Sequence, residues 1–337
     1  MRIAVYAIAK DEAKHVVRFA HSCMGADQVI VCDTGSNDET FERLSGLVTV
    51  HRLTVKPWRF DDARNAALAL VPGDIDVCIP LDLDEVLTPG WRERIEAVWC
   101  LGKTTRLMYP FVWNFDGAGK PVTFFNSDKI HARAGYRWRN PCHEALRHAP
   151  GMREVFGVIT GNPLIEHHAD DAKPRDYLDL LKVAVEENPH DDRAAHYYAR
   201  ELFFRGHLTQ ATEQFERHLS LASATWSAER AASLRYLAKC WMMRCLPLVS
   251  ATKAEHALLR AAEEDPLARE TWLQLAEMWA ERGDWTGALW ASHRCLAITE
   301  RPGHYISEAR CWDGTVEKLY ERCCRQLVLK RMAAAAA

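Results

Sequence analysis

The sequence predicts a mixed α/β unit followed by an all-α unit. Short apolar runs alternate with helical patterns in the first third of the chain, which is typical of a parallel sheet covered by helices. After about Lys173 only helical periodicity remains. A length of 337 residues indicates about two domains at roughly 150 residues each. We therefore expect one domain at 1–170, a second at 171–332 and an alanine tail at 333–337.

The apolar spacing predicts the elements of the first unit. Strands are expected at 3–8, 28–32, 47–53 and 76–81, and helices at 11–23, 39–44 and 61–70. Further strands are expected at 107–113, 121–125 and 129–131, joined by glycine-containing loops. This later part of the unit is expected to form a substrate-binding half.

The composition excludes several classes of protein. With 43 Lys and Arg against 46 Asp and Glu, and a formal net charge of -3, the chain is not a polybasic nucleic-acid coat. No apolar run approaches the roughly 18 residues of a membrane span, and no secretory leader is evident. The 11 cysteines are scattered and include no Cys-x-x-Cys pair. We expect a cytoplasmic protein without a membrane span.

Two segments of the second half, 189–219 and 266–296, align without a gap. Small residues recur at matching places, which lets two helices of a hairpin approach closely, and Gly206 and Gly283 are each expected to end a helix in a left-handed cap. The pattern resembles tetratricopeptide (TPR) repeats, with a looser middle repeat interrupted around 245–252. An Ala-rich helical bundle is the alternative. A repeat unit would dock an acceptor or mediate self-association into a homo-oligomer.

An acidic loop, 82–85, follows the apolar strand that ends near Leu81. Side chains alternate along an extended chain, so Asp82 and Asp84 point to the same side and can share a divalent cation, or divide between a ribose and a metal. Open parallel sheets bind ligands at the carboxyl ends of their strands, where this loop is expected. A solvated loop is the alternative for an acidic pair taken alone.

Four separated motifs, of which this loop is the last, occur in order along the first unit. They are Ile8-Ala9-Lys10-Asp11-Glu12, Asp33-Thr34-Gly35-Ser36-Asn37-Asp38, Ala63-Arg64-Asn65 and Asp82-Leu83-Asp84-Glu85. Over about 1–170 they resemble the family 2 glycosyltransferases of GT-A fold, in particular the branch with the sublancin-type peptide S-glycosyltransferases and the lipopolysaccharide-core glucosyltransferases. The resemblance implies metal-dependent, inverting transfer of a hexose, with UDP-glucose as the expected donor and Mn²⁺ or Mg²⁺ as cofactor.

The resemblance also implies which residues bind the nucleotide. Ala7, Ile8 and Glu12, at and after the end of the first strand, and Asp33, after the second, are expected near the base or ribose. A carboxylate can accept hydrogen bonds from both groups. The alternative role of Asp33 is to cap a turn. The alternative role of Glu12 is to stabilise the dipole of the following helix.

The remaining donor contacts are expected from Arg64, Asp82 and Asp84. A guanidinium matches phosphate oxygens in a fork, so Arg64 is expected on the diphosphate, with a surface salt bridge as the alternative. Asp82 is expected to face ribose or metal, and Asp84 to bind the metal ion that bridges the diphosphate and stabilises the departing nucleotide.

Two later segments, 140–144 and 164–168, resemble further elements of the same branch. Inverting transfer needs a carboxylate to remove the acceptor proton, and Glu144 is the candidate base, with Glu85 or an Asp as the alternative. His167 or His168 is expected to complete the metal shell, because a neutral imidazole suits Mn²⁺. Adjacent rings on a strand diverge, and we favour His167.

The stretch 129–147 is cationic and aromatic. It contains Lys129, Arg133, Arg137, Arg139 and Arg147 interleaved with His131, Tyr136, Trp138 and His143. Such a stretch can hold a diphosphate, stack a sugar or follow a nucleic-acid backbone. An ordinary solvated strand is the alternative. The acceptor therefore stays open among a peptide or protein, a glycan and a hydroxymethylated DNA base, each of which offers a hydroxyl or thiol.

Other functions fit the sequence less well. It contains no phosphate-binding loop motif and no Gly-x-Gly-x-x-Gly fingerprint, which disfavours an ATPase or a dehydrogenase. A nucleotidyltransferase of the same fold would be expected to begin with a Gly-rich, Arg-containing loop, which Ile8-Ala9-Lys10-Asp11 is not. A non-catalytic TPR-type scaffold with a degenerate transferase domain is disfavoured by the intact motifs at 63–65 and 82–85.

Overall fold

The computed structural model describes residues 1–169, 176–243 and 247–336. The chain divides into two compact units, Met1–Asp176 and Tyr177–Ala337. The expected boundary between residues 170 and 171 lies outside the described residues, as does part of the interruption expected at 245–252.

The first unit is a mixed sheet with helices. Its strands are β1 (Ile3–Ala9), β2 (Gln28–Asp33), β3 (Thr49–Arg52), β4 (Val77–Pro80), β5 (Glu85–Leu87), β6 (Arg106–Phe115), β7 (Pro121–Ser127), β8 (His131–Ala132), β9 (Tyr136–Arg139), β10 (Ala145–His148), β11 (Phe156–Val158) and β12 (Ile165–His167). Its helices are α1 (Val16–Ser22), α2 (Thr40–Ser45), α3 (Phe60–Leu70) and α4 (Trp91–Val98).

The main sheet has the strand order β3-β2-β1-β4-β8-β6-β12-β5, with β7 and β11 also paired to β6. Strands β1 to β4 run parallel to one another, and β8 is antiparallel to both β4 and β6. Strands β9 and β10 form a separate antiparallel pair. The carboxyl ends of β1, β2 and β4 therefore meet at one edge, where an open sheet of this kind binds ligands.

The central strands β1 and β4 are buried on both faces, as is typical of parallel strands covered by helices. Along β1, Ile3, Val5 and Ala7 belong to one apolar cluster, and Ala4 and Tyr6 belong to another. Helices α1 and α4 cover the first face, whereas α3 and the β9-β10 pair cover the second. This alternation fixes the register of β1 between its two neighbours.

The predicted helix at 11–23 is wrong in its first part. Asp11 has a left-handed backbone, with φ of 55°, and its carboxylate accepts a hydrogen bond from the Asn37 amide. The Glu12 amide donates to Thr40 Oγ1 at 2.7 Å. These contacts hold the segment against the turn after β2, so regular helix begins only at Val16.

The second unit consists of antiparallel helical hairpins. Its helices are α5 (Leu178–Glu187), α6 (Asp192–Phe204), α7 (Leu208–Ser220), α8 (Ser227–Met243), α9 (Pro247–Glu264), α10 (Arg269–Glu281), α11 (Trp285–Leu296) and α12 (Thr315–Ala336). A short 3-10 turn spans Ala309–Cys311. Helix α12 extends into the terminal alanine run through Ala336.

The repeat pattern in the sequence is confirmed by these hairpins. Gly206 follows α6 with φ of 77°, and Gly283 follows α10 with φ of 75°, so both adopt the left-handed conformation that glycine permits at a helix end. Ala199 and Ala211 are fully buried where α6 and α7 approach. The predicted order of an α/β unit followed by an all-α unit of helical hairpins is confirmed.

No helix in the described ranges combines the length and apolar character needed to cross a membrane.

Candidate active site

The candidate site lies at the carboxyl edge of the sheet in the first unit. The loop after β4 carries Asp82 and Asp84, and its backbone is held by the neighbouring β12: Glu85 pairs with His167 in register, and the His168 amide donates to the Asp84 carbonyl at 2.8 Å. This pairing brings the end of β12 to the acidic loop.

His167 faces Asp84 directly. Its Nε2 lies 3.2 Å from Asp84 Oδ2, and its Nδ1 lies 2.9 Å from the backbone carbonyl of Trp113. A carbonyl only accepts hydrogen bonds, so Nδ1 carries a proton and Nε2 is the atom directed at the carboxylate. In the neutral ring this is a lone pair facing an anion, an arrangement that needs a proton or a metal ion between the two.

The hydrogen bond from His167 Nδ1 to the Trp113 carbonyl is of the kind that orients metal ligands. An imidazole that binds a metal through one nitrogen usually donates the other N–H to a carbonyl or carboxylate, which fixes the tautomer and the ring orientation. The Trp113 ring also stacks on His167, with centroids 4.5 Å apart. Burial alone would lower the pKa of His167, but the adjacent Asp84 carboxylate outweighs it and raises that pKa.

His168 points elsewhere. Its Nε2 lies 3.4 Å from Glu166, and its ring stacks on Phe115 with centroids 5.0 Å apart. The two adjacent rings therefore diverge, and His167 is the one beside the acidic loop.

Arg64 joins two of the predicted site carboxylates. Its Nη1 and Nη2 lie 2.9 and 3.1 Å from the two oxygens of Asp82, and its Nε donates to Glu144. The guanidinium is buried, and burial would lower its pKa, but the two carboxylates outweigh this and keep it charged. Arg64 thus fixes the positions of Asp82 and Glu144, which are 62 residues apart in the chain.

The Ala-Arg-Asn motif anchors α3 as well as presenting Arg64. The Asn65 amide group donates to the Trp138 carbonyl at 3.0 Å and accepts from the Trp138 amide at 2.9 Å, so it pairs with β9 as a neighbouring strand would. Ala63 is fully buried against the sheet. The guanidinium carbon of Arg64 lies over the Trp138 ring, 5.2 Å from the ring centroid.

A buried network of hydrogen bonds holds the Trp138 ring in place. Trp138 Nε1 donates to the Tyr6 hydroxyl at 2.8 Å, and that hydroxyl lies 2.9 Å from His131 Nε2. His131 Nδ1 lies 2.7 Å from the Ala132 carbonyl, so Nδ1 donates and Nε2 accepts from Tyr6. The side-chain polar groups of Trp138, Tyr6 and His131 therefore all have hydrogen-bond partners, which makes this part of the protein rigid.

The acidic loop has an uneven distribution of charge. Burial would raise the pKa of Asp82, but Arg64 holds it at about 2. Burial raises the pKa of Glu85 to about 7, the Asp82 charge adds to this rise, and Lys129 opposes it. Glu85 is buried, and its carboxylate accepts a hydrogen bond from the Asp82 amide at 3.0 Å.

Glu144 stands at the end of a constrained loop. Residues 140–144 connect β9 to β10, and both Asn140 and His143 are left-handed, with φ of 81° and 48°. The Phe60 amide donates to the Pro141 carbonyl at 2.9 Å, which fastens this loop to the start of α3. A non-glycine residue with this backbone costs free energy and is enriched at functional sites.

The predicted nucleotide residues lie at the same edge of the sheet. Asp33 is buried at the end of β2, where its Oδ1 accepts from the Gly35 and Ser36 amides at 3.0 Å. It therefore caps its own turn, the alternative role expected above. Ala7 is buried within β1, and Ile8 is half-buried near its end. Their nucleotide contacts and that of Glu12 stay predictions.

Three of the aromatic residues in the basic stretch are not available to stack nucleobases. Tyr136, Trp138 and His131 lie in the core, with relative exposures of 8%, 1% and 0%. Arg137 and Arg139, which alternate with Tyr136 and Trp138 along the strand, are exposed. The stretch is a half-buried strand pair, and these three rings give no support to a nucleic-acid acceptor.

Trp113 is a site residue that the sequence did not reveal. It contributes its carbonyl and its ring to His167, yet it lies 54 residues away along a strand predicted only as part of a substrate-binding half. Trp113 keeps 42% of its surface exposed near the end of a largely buried strand, a structural property that the sequence does not give.

No protein-family model and no curated protein matches the chain. Among solved structures, it is similar to S. aureus TarS 1–349 in complex with UDP-GlcNAc, at 12% identity and a TM-score of 0.40, over 88% of this chain and 90% of that one. It is similar to MamA at 15% identity and a TM-score of 0.32, over 46% of this chain and 89% of MamA. The Sgt2 TPR domain from Aspergillus fumigatus has 16% identity and a TM-score of 0.33, over 43% of this chain and 83% of that domain.

Proposed function

We propose that the chain is a metal-dependent, inverting glycosyltransferase that moves a hexose from a UDP-sugar to a hydroxyl or thiol of an acceptor. UDP-glucose is the proposed donor. The observation that carries the proposal is the 3.2 Å approach of His167 Nε2 to Asp84 Oδ2, with the opposite ring nitrogen held by the Trp113 carbonyl. This is an oriented pair of ligands at the ligand-binding edge of a parallel sheet.

Asp84 and His167 would hold Mn²⁺ or Mg²⁺. Carboxylate oxygen and imidazole nitrogen suit Mn²⁺, and two protein ligands leave positions for diphosphate oxygens and water. The bound cation would neutralise charge on the departing nucleoside diphosphate. His168 takes no part, because its ring stacks on Phe115 instead.

Asp82 and Glu144 are held ready by Arg64. We propose that Asp82 faces the ribose or the metal, since one third of its side chain stays exposed while Arg64 fixes its position. The Arg64 guanidinium would also meet the diphosphate. Phosphate oxygens would then compete with Glu144 for the Nε–H, so donor binding would loosen the Arg64–Glu144 pair.

Glu144 is the proposed catalytic base. Once its contact with Arg64 loosens, its carboxylate can accept the proton of the attacking acceptor hydroxyl or thiol, while the nucleophile approaches the anomeric carbon opposite the leaving nucleotide. Glu85 is the alternative base, but it is buried and bound to the Asp82 amide, so Glu144 is better placed to meet an acceptor.

The acceptor is proposed to be a peptide, protein or glycan. The helical hairpins of the second unit are suited to dock a macromolecule, since repeats of this kind build extended binding surfaces. A hydroxymethylated DNA base stays as a further acceptor to test, although the burial of Tyr136 and Trp138 removes the reason to favour it.

The function is tested by product analysis across a donor panel. Wild-type protein is incubated with Mn²⁺ and UDP-glucose, UDP-GlcNAc or UDP-galactose, with a peptide pool, glycans or hydroxymethylated DNA, and UDP release and acceptor mass are measured. The proposal expects UDP release that requires metal and is lost in Glu144→Gln when an acceptor is present. A nucleotidyltransferase would instead release pyrophosphate from UTP and a sugar phosphate, and a scaffold would release neither.

A further inference from the structure

A second cluster of metal-binding side chains lies in the helical unit, outside the site described above. It brings together the beginning of α6, the end of α7 and the beginning of α8, which supply Asp192, His218 and Glu229. One potential ligand atom from each residue lies within 4.8 Å of the other two. His218 and Glu229 are almost fully buried, with relative exposures of 0% and 3%, and Asp192 is half-buried.

The His218 ring leaves one nitrogen without a hydrogen bond. Its Nδ1 lies 2.9 Å from the Ser233 hydroxyl, which also lies 2.7 Å from His196 Nδ1. Its Nε2 lies 3.5 Å from Glu229 Oε1, but the geometry is not that of a hydrogen bond, and this buried atom has no other partner. A buried polar atom without a hydrogen bond is costly, so this ring nitrogen beside two carboxylates calls for a ligand.

The two carboxylates also lack balancing cations at this point. Neither Asp192 nor Glu229 forms an ion pair with an arginine or lysine among the residues that the structure describes. Glu229 Oε2 accepts a hydrogen bond from the Tyr305 hydroxyl, which leaves Oε1 directed at His218. His218 Nε2, which has no hydrogen bond, and Glu229 Oε1 therefore face each other.

We propose that Asp192, His218 and Glu229 bind a divalent transition-metal ion, for which Zn²⁺ is best suited. One imidazole nitrogen and two carboxylate oxygens form a common zinc ligand set, with bonds of about 2.0–2.2 Å. The ligands draw together around the ion, and a water molecule completes the coordination. The metal ties the ends of three helices and stabilises the helical unit.

The decisive experiment uses the full chain carrying Asp84→Asn and His167→Gln, so that the first site does not contribute. Zn²⁺ binding is measured by calorimetry and by metal analysis after gel filtration, and Co²⁺ is added to record visible absorption bands. We expect one equivalent of Zn²⁺ per chain, a Co²⁺ spectrum, and a thermal transition that rises with Zn²⁺.

Two further substitutions in that background assign the ligands. His218→Gln is expected to weaken Zn²⁺ binding at least about tenfold and to abolish the Co²⁺ spectrum, whereas His256→Gln, at an exposed histidine, retains both. Asp192→Asn, at a half-buried helix start, provides a second test if His218→Gln unfolds the protein, and it too should weaken binding. Absence of stoichiometric binding in the parent background would overturn the proposal. Binding that survives Asp192→Asn and every folded His218 variant would overturn it equally.

Discussion

His167 Nε2 lies 3.2 Å from Asp84 Oδ2, although 83 residues separate the two in the chain. Two backbone relationships create this contact. Strand β12 pairs with β5 so that His167 is in register with Glu85, and the His168 amide fastens the Asp84 carbonyl. The Trp113 carbonyl then sets the ring so that Nε2 faces the carboxylate. The sheet itself assembles the proposed metal ligands before any ion arrives.

Arg64 should be essential for the stability of the first unit. Replacing it by Met leaves Asp82 and Glu144 without their shared cation, and removal of one partner from a buried ion pair costs about 3 kcal/mol or more. Urea denaturation of Arg64→Met should show this loss. Arg137→Met, at an exposed arginine, is the matched control and should change the free energy of unfolding little. Equal stability of the two variants would contradict the role assigned to Arg64.

Replacement of the Asn65 side-chain amide by a carboxylate should lower the free energy of unfolding. Asn65→Asp keeps the shape of the side chain but replaces the NH₂ donor to the Trp138 carbonyl by an oxygen. We expect a loss of roughly 1–3 kcal/mol, because a buried acceptor loses its donor and faces an anion instead. The exposed Asn162 provides the control Asn162→Asp. Thermal unfolding of both variants checks the expectation, which fails if Asn65→Asp matches the wild type.

The protein should lose stability in mild acid through two buried histidines. Burial lowers the pKa of His131 from 6.5 to about 3, and it lowers that of His196 to about 3 as well. Below about pH 6.5 the unfolded chain takes up protons on these rings, whereas the folded chain does not until about pH 3, so stability falls across that window.

This pH dependence is checked by denaturant unfolding at pH 7, 6.5, 6 and 5, above the range where most carboxylates titrate. His131→Gln should make the decline between pH 6.5 and 5 shallower, because it removes one of the two groups. His21→Gln, at an exposed histidine, should leave the slope unchanged. Glu85, whose pKa is raised to about 7, takes up its proton in the same range and acts in the opposite direction, so the comparison of variants is decisive. A pH dependence that His131→Gln leaves unchanged would contradict the prediction.

The β9-β10 pair should tolerate, and benefit from, a reversed charge. Arg137 and Arg147 are directly opposite each other on its exposed face, and like charges at such positions are unfavourable. Arg147→Glu should raise the free energy of unfolding by about 0.2–1 kcal/mol at low salt, and Arg147→Lys should not. The gain should shrink as salt is added. Destabilisation by Arg147→Glu would show that the arginine has another partner.

Much of the fold was predictable because local patterns and tertiary packing agree. Short apolar runs located β1, β2 and β4, and two glycines located the helix ends at Gly206 and Gly283. The start of α1 was not predictable, because Asp11 takes a left-handed turn through contacts with residues some 26 positions away. The helical pattern alone carries no information about such a contact.

The sequence names residues for the candidate site but does not predict their pairings. Nothing in the sequence relates Arg64 to Glu144 80 residues later, and their contact exists because the 140–144 loop is fastened to the start of α3. The burial of Tyr136 and Trp138, in contrast, was available from the alternation Tyr-Arg-Trp-Arg, which places both aromatic rings on one face of a strand.

Direct measurement of UDP-dependent Mn²⁺ binding tests the central claim. Electron paramagnetic resonance would count free Mn²⁺ with and without UDP, in a His218→Gln background that removes the proposed helical-unit site. The account predicts one UDP-dependent Mn²⁺ per chain, lost in Asp84→Asn and His167→Gln and retained in His168→Gln. Mn²⁺ binding that persists in His167→Gln, or that His168→Gln abolishes instead, would contradict the assignment of Asp84 and His167 as the metal ligands.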